Sequence, residues 1–492
     1  MDYQKIKTLG ELEKTGYKSR PVKEELRDNL IERLRNGDEV FPNILGYENT
    51  VLPAVQNAIL ARHNINLLGL RGQAKTSIAR DMVYLLDEYI PIIEGSEPND
   101  DPLDPITRYG IDKVAELGSK TPISWLHRSQ RYTEKLATPD VTVADLIGDL
   151  DPIKAANMKL SYSDERVIHF GLVPKAHRGL FVINELPDLQ ARIQVALFNI
   201  LQEGDIQIRG FKLRLSLDIQ FVFTANPEDY TNRGSIITPL KDRIQSQIIT
   251  HYPKSLEVSK EITRQEAKLA EAQSKVVEVP EFMKDLIEQI AIEARQSELI
   301  DQKSGVSARL TISAFESLVA AAERRTILNK EKKTIARISD LYSVIPAITG
   351  KVELVYEGEQ EGAQGVAKML LGKAIRKQFP TYFPDPEMLK RRKEEVNPYA
   401  EIIKWFSDGE VDLMIADSDK DYKKKLDSVK GIDSLIKKYH PNSDKEQGYI
   451  LKELVLHGLG EYSLIGKNSM EEGLSFTDIL GELFSSSQED FE

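Results

Sequence analysis

The sequence contains no cysteine in its 492 residues. Disulfides, thiol catalysis and cysteine-ligated zinc are therefore excluded, and the chain suits a reducing compartment. Its seven histidines are scattered and none forms HExxH, so a histidine-based metal site has little support. No apolar run approaches the length that spans a bilayer, and the first residues lack the apolar core of a signal peptide. The expectation is a soluble, cytoplasmic protein without a membrane partner. Positive charge is the scarcer sign, 66 basic residues against 78 acidic ones for a net charge of -12. That balance argues against broad electrostatic attraction to nucleic acid. The length admits two or three domains, each large enough to bury its own core.

What is present is organised around Gly69-Leu70-Arg71-Gly72-Gln73-Ala74-Lys75-Thr76. The apolar run 65–68 reads as a strand entering it. Ser77 onward reads as the helix leaving it, with Ile78, Met82, Leu85 and Tyr89 at helical spacing. Strand, glycine-containing turn, Lys-Thr and helix make a phosphate-binding loop, in which backbone N–H groups and the positive helix end cradle a polyphosphate. Lys75 would reach the β- and γ-phosphates of ATP, and the Thr76 hydroxyl would hold Mg²⁺. Ala74 stands where a second glycine is expected. An ordinary crossover with a chance Lys-Thr is the alternative.

Around this loop the chain divides into four stretches. Residues 1–39 form a charged helical arm, with Leu26, Leu30, Ile31 and Leu34 on one face and a stop near Gly37. Residues 40–252 alternate strands and helices, which means a parallel α/β sheet. Within them, 91–137 is rich in Pro, Asp and Ser and reads as an insertion rather than core. Residues 205–213 alternate about a glycine and read as a β-hairpin. Residues 253–380 carry long amphipathic helices (about 256–275, 281–299, 311–328 and 366–378) with no core strand, a helical lid. Residues 381–492 read as a helical, charge-rich extension whose last eight residues fray.

A nucleotide-binding sheet needs a strand that ends in carboxylates. Leu180-Phe181-Val182-Ile183-Asn184-Glu185 fits that place. Glu185 is sited to deprotonate a water attacking the γ-phosphate. A solvated strand-end acid is the bland alternative, disfavoured by the pairing with Lys75-Thr76. Asn184 occupies the position where Asp normally holds the magnesium; its carbonyl can accept from a metal-bound water but carries no charge. A unit charge near 4 Å is worth about 4 kcal/mol at an effective dielectric of 20, so hydrolysis is expected to be slow. Phe221-Val222-Phe223-Thr224-Ala225-Asn226-Pro227 ends an apolar strand on an amide that could hold the attacking water, or serves only as an Asn-Pro turn. Leu240-Lys241-Asp242-Arg243-Ile244 offers an arginine that could act across a subunit boundary or form a surface ion pair.

In combination, GLRGQAKT, LFVINE, FTANP and LKDRI resemble the AAA+ ATPases, within them the branch of magnesium-chelatase ATPase subunits and MoxR-type ATPases. That branch commonly carries Ala at the place of Ala74. The stretches 92–102, 137–151 and 176–179 resemble the chelatase subunit specifically. The resemblance covers about 40–350, and Asn184 departs from the family's Asp. It implies that Asn226 is the first sensor, Arg243 the arginine finger and Arg309 the second sensor, with a surface arginine as the alternative for Arg309. The turn at Leu45 and Gly46 takes the adenine side. The loop 69–76 with Ser77 binds ATP, and Thr76 with Asn184 faces Mg²⁺. The implied assembly is a homo-oligomer, a hexameric ring, working on a protein client such as a von Willebrand or integrin-I domain protein. The rival readings are an ATP-gated scaffold with little hydrolysis, motivated by Asn184, and a transcription activator or helicase. Against the latter stand the missing GAFTGA loop and the acidic charge.

Overall fold

Apolar strands separated by amphipathic helices bury best as a sheet covered on both faces, and the chain builds this arrangement in its first half. The computed structural model describes residues 5–161, 164–208, 214–227, 235–391, 397–470 and 473–479. They form two units, Met1–His251 and Tyr252–Glu492.

In the first unit five strands, β1 (Ile65–Leu68), β2 (Tyr132–Leu136), β3 (Gly179–Asn184), β4 (Ile219–Ala225) and β5 (Ser246–Ile249), form one sheet in the order β5-β1-β4-β3-β2. Every pairing is parallel. All loops that follow a strand therefore lie on one edge, where such sheets bind ligands. β3 and β4 are buried along their whole length, which is why they read as continuous apolar runs. One face packs on Ile78, Ala79 and Met82 of the segment after the loop, and on Val22, Leu26 and Leu30 of helix Val22–Asn36. The other face carries Phe181, Phe221 and Phe223 against Leu186, Ile193 and Leu197.

Two parts of this unit differ from the sequence reading. The helix after the loop ends early, as Lys75–Asp81 followed by a 3₁₀ turn to Leu85, and Tyr89 opens a strand, Tyr89–Ile93, paired antiparallel with Ile123–His127. Helical spacing at 78, 82, 85 and 89 is also met by a helix followed by an apolar strand. The segment 91–137 is not wholly an insertion, because it supplies β2, the edge strand of the main sheet. The hairpin strands Asp205–Gln207 and Arg214–Ser216 pair antiparallel; its turn, 209–213, lies outside the described residues.

The second unit is helical, with Glu281–Gln296, Arg309–Leu328, Ala363–Tyr382 and Lys445–Glu461 around one apolar core that runs from Val277 to Phe476. The expected helix 256–275 is broken into Leu256–Glu266 and Glu271–Val276. Core strands occur here too. Val411–Met414, Gly466–Met470 and Gly473–Thr477 form a three-stranded antiparallel sheet within the stretch read as a helical extension. Val411–Met414 alternates but is only four residues long, and the other two strands carry Gly, Ser or Asn, so the pattern was too weak to announce them. The last eight residues, expected to fray, lie outside the described residues.

Candidate functional site

β1 delivers the chain into the turn at Gly69, whose N–H donates to Ala225 O at 3.1 Å. A Cβ there would meet Thr250 Oγ1 at 1.9 Å and Gln73 Oε1 at 2.3 Å, so a larger residue would have to displace both side chains. Gly72 is left-handed, with φ 71. Ala74 is left-handed as well, with φ 54 and ψ 15, which explains why a second glycine is expected at that place. Thr250 Oγ1 donates to Gln73 Oε1 at 2.7 Å, tying the turn to the end of β5. Leu70, Arg71, Ser77 and Thr76 are partly or fully exposed along the same loop. The turn at Leu45 and Gly46 stands beside it, because the Tyr47 hydroxyl lies 3.1 Å from Gln73 O and 2.7 Å from His251 O, with one proton to share between the two carbonyls.

Lys75 is 7% exposed. Its ammonium donates to Leu70 O at 3.0 Å, to Gly69 O, and to Asn226 Oδ1 at 2.6 Å. Asn226 Nδ2 in turn donates to Glu185 Oε2 at 3.0 Å. Loop lysine, strand-end amide and carboxylate are thus one hydrogen-bonded run on the C-terminal edge of the sheet. Glu185 itself is left-handed, with φ 54 and ψ 50, and its N–H donates to Thr224 Oγ1 at 3.2 Å. A non-glycine residue held in that region at a site of this kind is strain that the surrounding contacts must support.

Asn184 lies 8% exposed at the end of β3. Its Oδ1 accepts from Thr76 Oγ1 at 3.3 Å and from Thr224 Oγ1 at 3.0 Å. Its Nδ2 donates to Glu134 Oε1 at 2.6 Å. Glu134, on β2, also accepts from Arg80 Nε at 3.0 Å and from the Tyr132 hydroxyl at 2.9 Å. Those bonds hold the Arg80 guanidinium more firmly charged, while burial and Glu134 push the Tyr132 phenol upward. Glu134 and Thr250 were absent from the sequence reading, and Thr224 stood in it only as part of an apolar strand, without a role. The alternation of Tyr132, Glu134 and Leu136 about the strand was the available signal for Glu134.

Arg243 ends helix Thr238–Arg243, just before β5 begins. It donates to Gln202 Oε1 at 2.7 Å and to Pro239 O at 2.7 Å, and lies over the Phe198 ring. Since β5 runs parallel to β1, Arg243 sits at the opposite edge of the sheet from the loop of its own chain. Arg309 is an exposed residue opening helix Arg309–Leu328 of the second unit, and its N–H donates to Ser307 Oγ at 3.1 Å.

The donor set suits a magnesium nucleotide. Thr76 and Asn184 present hard oxygen atoms to one place, and Mg²⁺ takes one or two such ligands and completes its shell with phosphate and water. Among the described residues no cluster of three His, Asp or Glu could cage a metal by itself. None of the described helices is long and apolar enough to cross a membrane.

A family model described as Sigma-54 interaction domain matches residues 157–249. The magnesium-chelatase 38 kDa subunit of Cereibacter sphaeroides is 26% identical over 235 residues, 46% of this chain and 63% of that protein. The chain thus spans under two thirds of that relative's length. Among solved structures, a BchI–BchD complex of magnesium chelatase aligns at 20% identity and TM-score 0.33, over 65% of this chain and 98% of that one. NtrX from Brucella abortus aligns at 13% identity and TM-score 0.33, over 59% and 55% of the two chains.

Proposed function

We propose that this chain, an AAA+ P-loop protein related to the magnesium-chelatase 38 kDa subunit, is a ring-forming motor that binds and hydrolyses Mg-ATP to remodel a protein partner. The observation that carries this reading is the run from Lys75 through Asn226 to Glu185 beside the turn 69–76. The turn's N–H groups and the Lys75 ammonium hold a triphosphate by charge-assisted hydrogen bonds. Thr76 and Asn184 would face a magnesium ion, which when bound would supply charge neutralisation to the phosphates. Glu185 takes the proton of the attacking water. Asn226 sets Glu185 against the phosphate anchor, because one end of its amide holds each.

Arg243 lies on the far edge of its own sheet and would act on the site of a neighbouring copy. A head-to-tail interface of that kind closes into a ring, and a hexamer is the size the family resemblance implies. The second unit, with Arg309 as second sensor, would serve as the lid. Leu45 and Gly46 would lie on the adenine side. A protein bearing a von Willebrand or integrin-I domain is the client class the resemblance suggests, and the cytoplasm the expected compartment.

Asn184 favours one second reading, an ATP-gated scaffold that hardly hydrolyses. Phosphate release and ATP binding separate the two. The motor reading expects Lys75→Ala to lose binding, and Glu185→Gln to bind ATP while turnover falls on the order of a hundredfold. Equal silence of wild type and Glu185→Gln, with binding intact in both, would establish the scaffold instead.

A further inference from the structure

We propose that Glu134 and Asn184 together do the work of the single magnesium-facing aspartate, the amide presenting the oxygen and the neighbouring strand supplying the charge. This rests on the Mg-ATP reading given above. An amide can face either way in a site, and here its orientation is fixed by its partners. Glu134 only accepts, so Nδ2 must turn toward it. Oδ1 is left to the hydroxyls of Thr76 and Thr224, on the side where a metal-bound water would donate.

The architecture makes this arrangement specific. β2 and β3 run parallel with Glu134 opposite Val182 and Leu136 opposite Asn184. Glu134 and Asn184 are therefore diagonal neighbours on one face of the sheet, within reach of each other. The helix on that face carries Thr76 and Arg80 four residues apart, on one side. Thr76 meets Asn184 while Arg80 meets Glu134. The Glu134 side chain is 24% exposed and that of Arg80 61%. The guanidinium holds both carboxylate oxygens, Nε and Nη2 on Oε2 and Nη2 on Oε1, and Oε1 also accepts from the Asn184 amide. Solvent and salt around the exposed Arg80 weaken its pull on the carboxylate, so part of the Glu134 charge acts through the amide.

The test reads magnesium in binding rather than in turnover. A fluorescent ATP analogue is bound to full-length protein and titrated with MgCl₂, with a parallel measurement in EDTA. Glu134→Gln keeps an acceptor for Asn184 and removes only the charge. It should raise the magnesium needed for half-maximal binding roughly tenfold, read against the same variant's affinity in EDTA. Adding Asn184→Asp to Glu134→Gln moves the charge one residue inward and should restore the wild-type requirement. A magnesium requirement unaffected by Glu134→Gln would overturn the proposal. So would a double variant that still binds in EDTA but stays as magnesium-hungry as the single one. Absence of nucleotide binding by the wild type, by contrast, would overturn the functional reading itself and this inference with it.

Discussion

At the scale of single residues, buried His177 and half-buried Asp218, just before β3 and β4, titrate in opposite senses. His177 accepts the Asp218 N–H at 3.0 Å on Nδ1, and burial, reinforced by Arg178, lowers its pKa to about 4. The Asp218 carboxylate accepts the Val22 N–H at 2.7 Å, yet burial outweighs that bond and raises its pKa to about 6. Between about pH 4 and 6.5 the unfolded chain binds more protons at His177 than the native one, so that residue's contribution to stability grows as pH rises. Asp218 is protonated in the native state up to about pH 6, and its contribution shrinks over much of the same window. The two nearly cancel. Asp218→Asn keeps an acceptor for Val22 and should expose the histidine alone. Urea unfolding should then show stability rising by roughly 3 kcal/mol from pH 4 to 6.5; an unchanged, flat profile would contradict the assignment.

Residues whose chemistry depends on sequence neighbours were legible. Lys75 and Thr76 announce themselves through the glycines before them, and Glu185 and Asn226 each close an apolar strand. The structure joins Lys75, Asn226 and Glu185 in one run. Glu134 was hidden because its meaning comes from Asn184, 50 residues away in sequence and adjacent only in space.

At the scale of elements, helix Val22–Asn36 shows how an apparently charged arm becomes core. Glu25 points inward and pairs with Arg131 through two bonds, at 2.7 and 2.6 Å, with side chains 3% and 1% exposed. Glu25 also accepts the Asp87 N–H at 2.6 Å. Removing one member of a buried pair leaves the other uncompensated. Glu25→Ala should therefore cost about 3–5 kcal/mol, measured by thermal or denaturant unfolding, whereas a loss below 1 kcal/mol would mean the pair is solvated in solution. The helix itself was readable from Leu26 and Leu30 and from Gly37, which closes it with φ 74. Its anchoring was not, since Glu25 in a sequence looks like any solvent-facing acid. The same limit hid β2 inside a segment whose prolines and aspartates speak for turns. Where elements are long and periodic, as in Glu281–Gln296 and Arg309–Leu328, pattern and structure agree within a few residues.

At the scale of the whole molecule, the parallel sheet puts the phosphate loop and Arg243 on opposite edges of one subunit. In the proposed motor an arginine so placed would complete the site of the next copy, and that reading stands or falls on this division. The most direct measurement mixes two variants, Lys75→Ala, which lacks its own anchor, and Arg243→Ala, which lacks the residue it lends. Each alone should be inactive in phosphate release. Co-assembled in equal amounts, they should regain about a quarter of wild-type turnover, because a randomly mixed ring then pairs an intact loop with an intact arginine at that fraction of its interfaces. A mixture as silent as its components, although the two variants co-assemble, would contradict the account.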